Sequence, residues 1–154
     1  MLDSTIQIRL ASSHDAVGIA AMSRDLIEQG LGWSWKQPRV LRSIRDRDTN
    51  VAVACDANRL AGFGIMKYKE EEAHLLLFAV IDSHRRRGIG TALMGWFERT
   101  ALVAGIGVIQ LEARLTNEDA RTFYRRLGYS EIKIVRGYYC GVESAVRMAK
   151  DLWA

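Results

Sequence analysis

The chain has 154 residues, 22 Lys plus Arg against 18 Asp plus Glu for a formal charge of +4, 49% apolar residues, one proline and two cysteines. That length suits a single globular domain over residues 1–154 and is short for two. The longest purely apolar run, Leu75 to Ile81, is seven residues, far below the roughly 20 that cross a bilayer. Cys55 and Cys140 give no disulfide framework, and Met1-Leu2-Asp3-Ser4 lacks the basic-then-apolar pattern of a leader, so a cytoplasmic protein without a membrane partner is expected.

Ile6 to Leu10 alternates apolar and polar as a half-buried strand does, and Ser12-Ser13 offers caps for a helix from His14 to Gln29. A glycine-punctuated loop, Gly30 to Trp35, leads to Pro38, which suits the first turn of a helix reaching about Asp46. Val51 to Cys55 and Leu60 to Tyr68 read as a hairpin around Asp56 to Arg59, followed by an apolar strand from Ala73 to Ile81 suited to a sheet centre. A helix over Thr91 to Ala104, a buried strand over Val108 to Ala113 and a helix from Thr116 ending at Gly128 come next. Two strands, about Tyr129 to Arg136 and Ser144 to Leu152, close the chain. The order predicts a mixed α/β (α+β) fold.

The junction Phe78-Ala79-Val80 … Arg85-Arg86-Arg87-Gly88-Ile89-Gly90-Thr91 places a basic glycine turn between a central strand and a helix. Unpaired N–H groups at a helix start, the positive end of the helix dipole and glycines that admit an anion close to the main chain together suit a pyrophosphate. Two familiar phosphate motifs are absent: there is no GxxxxGK[ST], and the third glycine of GxGxxG falls on Leu93. Basic residues are interspersed with acidic ones throughout, which disfavours a nucleic-acid partner. Neither HExxH nor a CxxC pair occurs, and no metal is implied.

Arg85-Arg86-Arg87-Gly88-Ile89-Gly90 resembles the R/Q-x-x-G-x-G/A signature of the GNAT superfamily of acetyl-coenzyme A (acetyl-CoA) dependent N-acetyltransferases. The likeness continues through Leu111-Glu112-Ala113-Arg114, Asn117 and Phe123 to Tyr129. Within the superfamily, Leu60 to Phe63, Leu111 to Arg114 and Val135 to Tyr139 with Glu143, Ala145 and Met148 are similar to the ribosomal-protein alanine N-acetyltransferases. The chain departs from that group at Trp33-Ser34-Trp35, Asp82-Ser83 and Cys140-Gly141, mostly on the acceptor side.

The resemblance implies a mostly antiparallel mixed sheet with about four helices, acetyl-CoA as cofactor, and direct attack by an amine in a ternary complex. It places the cofactor along Phe78, Ala79 and Val80, the turn Arg85 to Thr91, and Asn117, whose other reading is a helix cap. Glu112 is the implied base, its other reading a carboxylate salt-bridged to Arg114. Tyr124 is the implied acid, its other reading a core aromatic. By alternation, Glu72 and His74 share a strand face with Phe78 and Val80 and are rivals for the base. Trp33, Tyr138 and Tyr139, with Trp35, fall in the implied acceptor loops. The favoured acceptor is a protein N-terminal α-amine; the alternatives are a small amine, such as a polyamine, amino acid or aminoglycoside, or a non-catalytic module that senses acyl-CoA. A monomer or homodimer is expected.

Overall fold

The computed structural model describes residues 5–85 and 87–154. Its strands are β1 (Ile6–Leu10), β2 (Thr49–Asp56), β3 (Arg59–Tyr68), β4 (Glu72–Val80), β5 (Val108–Arg114), β6 (Ser130–Tyr139) and β7 (Glu143–Asp151). The α-helices are α1 (Ala16–Met22), α2 (Gln37–Arg45), α3 (Ile89–Val103) and α4 (Glu118–Arg126). One seven-stranded sheet runs in the order β1-β2-β3-β4-β5-β7-β6. Among the described residues only β4 and β5 pair in parallel; the other neighbours are antiparallel. A parallel pair requires a crossover, and α3 supplies it. The mixed, mostly antiparallel sheet with four α-helices is the architecture the resemblance implies.

The two larger hydrophobic cores of the described residues lie on opposite faces of the sheet. Ile19 and Ala20 of α1 and Val40 of α2 pack on Val51, Val53, Phe63, Ile65, Leu77 and Ala79. Leu93 and Phe97 of α3 and Tyr124 of α4 pack on Leu75, Ile109, Leu111 and Met148. Phe97 lies so close to β3 that a Cβ at Gly64 would collide with its ring. No helix among the described residues is long and apolar enough to cross a membrane.

The helix expected over His14 to Gln29 divides into three pieces. Asp15 caps Ser12, its carboxylate accepting from the Ser12 N–H at 2.8 Å, and a 3-10 turn over Ser13–Asp15 leads into α1. A π-helical turn, Ser23–Ile27, then carries one extra residue, closed by the Glu28 N–H on the Ser23 carbonyl at 2.8 Å. The Glu28 carboxylate adds a reason for that turn: it is buried and accepts from Ser23 Oγ, the Ser34 N–H and Oγ, and the Trp35 N–H. One side chain thus ties the end of the helical segment to the loop that follows.

Candidate active site

β4 and β5 pair only from Glu72↔Val108 to Leu75↔Leu111. Beyond that point each continues without the other, β4 to Val80 and β5 to Arg114, so the sheet opens into a V-shaped gap at its centre. A bulge coincides with the opening: Met66 pairs Leu75 and Ile65 pairs Leu77, leaving Leu76 as an extra residue in β4. Alternation fails there. Leu76 and Leu77 both join the α1/α2 core, while Leu75 and Phe78 join the α3/α4 core. His74 and Phe78 therefore lie on opposite faces, which corrects the shared face that simple alternation predicts for Glu72, His74, Phe78 and Val80.

On the α1/α2 face, Glu112 is the hub of a polar network. Its carboxylate is only 4% exposed; Oε1 lies 2.5 Å from His74 Nε2 and accepts from the Tyr138 hydroxyl at 3.0 Å, and Oε2 accepts from Arg147 Nε at 2.8 Å. Burial pushes the Glu112 carboxyl up, but hydrogen bonds from His74, Arg147 and Tyr138 outweigh it and hold the group below the usual carboxylate range. Among the described residues the cation paired with Glu112 is Arg147, with His74 hydrogen-bonded beside it, in place of the Arg114 considered from sequence.

Arg114 instead braces the loops around the gap. Its guanidinium donates to the carbonyls of Ile27 and Gln29 at 2.6 and 2.7 Å and to Glu143 Oε2 at 2.8 Å, and lies 5.8 Å from the centre of the Tyr139 ring. A planar fork with five donors can hold three elements at once in this way. Tyr138 and Tyr139 end β6 rather than lying in a loop, packed edge to face at 4.9 Å, and burial beside Glu112 pushes the Tyr138 phenol up to about 12. Trp33 is partly exposed with its indole N–H on the Ala20 carbonyl, and Arg24 and Lys36 lie over its ring. Trp35 is largely buried in the α1/α2 core.

On the α3/α4 face, Phe78 stacks on Phe123 at 5.9 Å and meets Tyr124 edge-on at 6.3 Å. Burial pushes the Tyr124 phenol well above the ordinary tyrosine range, so it stays protonated. Its hydroxyl makes no hydrogen bond among the described residues, yet no fully buried side-chain polar atom there lacks a partner. The ring lies against Phe78 and its O–H donor is not taken up by another group among the described residues.

The basic turn follows β4. Gly88 adopts φ +81°, a left-handed conformation that suits glycine, and acts as N-cap of α3, leaving the first N–H groups of a 15-residue helix without helical partners. Gly90 packs closely, since a Cβ there would sit 3.1 Å from Phe123 Cζ. Arg85 reaches back to the Val80 carbonyl and Asp82, and Arg87 lies 3.7 Å from Asp56. Ile89 is buried and Thr91 sits in the first helical turn; Arg86 lies outside the described residues. Asn117 caps α4, its Oδ1 accepting from the Ala120 N–H at 3.1 Å.

The acetyltransferase (GNAT) family model matches residues 20–129. The chain belongs to the acetyltransferase (GNAT) family. It is 31% identical to the bS18-alanine N-acetyltransferase of Salmonella typhimurium over 118 residues, 75% of this chain and 79% of that protein. It is 36% identical over 83 residues to an N-alpha-acetyltransferase of Sulfurisphaera tokodaii, covering 53% of this chain and spanning half the length of that relative. Among solved structures, Ard1 from Thermoplasma volcanium superposes with a TM-score of 0.84 at 26% identity, over 96% of this chain and 97% of that one.

Acetyl-CoA is the cofactor of this GNAT family, and the present residues fit it. The gap beside Phe78, Ala79 and Val80 offers strand backbone without a strand partner on the β5 side, and the glycine turn offers N–H groups and cations for phosphates. Sequence reasoning missed the bracing roles of Arg114 and Arg147. The available signal was a lone Glu112 and a lone Arg147, each flanked by apolar residues in a buried strand; only the β5–β7 register, which pairs them, shows that they meet.

Proposed function

We propose that this GNAT chain acetylates the α-amine of a polypeptide N-terminus by direct attack in a ternary complex, with the amine arriving on the α1/α2 face of the gap. The observation that carries the reading is the placement of two protic groups on opposite faces of one opening: the His74–Glu112 pair on one side and Tyr124 on the other.

When bound, acetyl-CoA supplies an activated acetyl thioester. Glu112, ionised and engaged at both oxygens, is a poor proton acceptor by itself. Its role is to accept from His74 Nε2–H, which leaves the lone pair of the neutral ring on Nδ1 to take the proton of the incoming amine. Arg147 keeps Glu112 ionised and so keeps that tautomer. Tyr124, held protonated by burial, donates a hydrogen bond where the sulfur leaves on the opposite face. An α-amine has a reference pKa near 8 and a lysine amine near 10.4, so neutralising lysine costs about 3 kcal/mol more, which matches this unit to an N-terminus.

Support for the acceptor class comes from the bS18-alanine and N-alpha-acetyltransferase relatives. Incubation of the protein with acetyl-CoA, an α-amine peptide, the same peptide with a blocked N-terminus and one internal lysine, and a set of small amines tests it. Acetyl on the α-amine is expected. Turnover of small amines alone contradicts the acceptor, and binding of acetyl-CoA without any turnover points to the sensing module.

A further inference from the structure

Beside the gap, on the α1/α2 face, lies an open cavity of ≈ 360 Å³ whose wall includes Arg39, Arg42, Lys67, Asp46, Trp35 and Leu76. Three cations face one carboxylate, and that carboxylate is already engaged: Asp46 accepts from the Asp48 N–H, Thr49 Oγ1 and Lys67 Nζ. Arg39 is held in place, stacked 3.8 Å over the Trp35 ring with one N–H on Ser34 Oγ. The Arg42 side chain is exposed and makes no hydrogen bond or ion pair among the described residues. From Gln29 to Arg45 the chain contains four cations, Lys36, Arg39, Arg42 and Arg45, and no acidic residue. A cavity with this surplus of positive charge attracts a carboxylate.

Its position says where that carboxylate comes from. Lys67 is the direct cross-strand partner of His74 in the β3–β4 ladder, about 5 Å away by backbone spacing. Leu76, in the same wall, follows His74 by two residues on β4, about 7 Å of strand. An extended peptide advances about 3.3 Å per residue. With its α-amine at His74, its second to fourth residues therefore pass the cavity.

Resting on the polypeptide-acceptor reading, we propose that Arg39, Arg42 and Lys67 form a subsite for an acidic side chain at positions two to four of the acceptor, so that the enzyme selects N-termini followed by Asp or Glu.

The test uses peptides with one common first residue and Glu, Gln or Lys at positions two to four, assayed with the full-length protein and acetyl-CoA. We expect Glu peptides to exceed Gln peptides about five- to tenfold in kcat/KM, mainly through KM, with Lys peptides weaker still. The preference shrinks at 0.5 M salt because its source is electrostatic. Arg42→Gln flattens the series and Arg42→Glu inverts it toward Lys, with circular dichroism and acetyl-CoA binding confirming that both variants are folded. Equal kcat/KM across the series, or a preference that Arg42→Glu leaves unchanged, overturns the subsite while the N-terminal reading stands. Acetylation of free glutamate as fast as of the Glu peptides places the carboxylate on a small molecule and overturns the peptide occupant. If small amines react and no peptide does, the N-terminal reading falls and the subsite with it.

Discussion

Replacing Glu112 by Gln preserves shape and removes one charge from the centre of the network. In the native chain a carboxylate 4% exposed faces Arg147 at 2.8 Å and His74 at 2.5 Å. The amide retains one acceptor and turns its NH2 toward a donor, so at least one charge-assisted hydrogen bond is lost, and Arg147, 24% exposed, keeps a charge without its counterion. Such bonds are each worth about 1.5–3 kcal/mol, and a net loss of about 2–3 kcal/mol is expected. For a chain of this size that lowers Tm by about 6–9 °C. The sign of the pH dependence follows from the depressed carboxyl: its stabilisation is fully present above the unfolded value near 4.3 and disappears as pH falls through the lower folded value. The Tm gap between wild type and Glu112→Gln is therefore full at pH 7 and closes below about pH 4. In the acetyl-transfer assay kcat falls about 10–100-fold, the range of a lost orienting partner, because His74 no longer has the carboxylate that fixes its tautomer, while acetyl-CoA affinity is retained because Glu112 faces away from the Tyr124 side. Equal Tm values at pH 7, or a variant with near wild-type kcat, would refute the assigned role.

Tyr124→Phe removes a hydroxyl that holds no partner among the described residues, so stability stays within about 0.5 kcal/mol while kcat falls about 10–100-fold; an unchanged rate in stopped-flow thiol release removes Tyr124 from the mechanism. Arg114→Lys keeps the charge and loses the fork that grips Ile27, Gln29 and Glu143. KM for a peptide then rises about tenfold with kcat little changed, and steady-state kinetics with an unaltered KM contradict the bracing role. Gly90→Ala places a Cβ 3.1 Å from Phe123 Cζ, moving the α3 start against α4; acetyl-CoA affinity measured by calorimetry falls about tenfold, and wild-type affinity would show that the packing tolerates the methyl.

Much of the fold is legible because each strand announces itself by alternation or by a continuous apolar run, and turns by Gly or Asn. The central strand shows the limit. Leu75-Leu76-Leu77-Phe78 is apolar at every position, so nothing in it marks which residue is skipped in pairing, and only the ladder to β3 shows Leu76 bulged and Phe78 turned to the other face. The basic glycine turn could be read because its chemistry is local: Gly88 takes a left-handed φ and begins α3 within the motif itself. The opposite holds for the polar network, where His74, Glu112, Tyr138 and Arg147 come from four different strands. Trp35 looked like a loop aromatic, yet Glu28, seven residues earlier, draws its N–H inward and the ring follows into the core.

The most direct measurement is the mass and site of the product formed from acetyl-CoA and a peptide carrying both a free α-amine and an internal lysine. A single acetyl group on the α-amine, abolished by His74→Ala and slowed by Tyr124→Phe, is the predicted result. Acetylation of the lysine instead, or α-acetylation that survives both substitutions at the native rate, would contradict the two-faced site described for this chain.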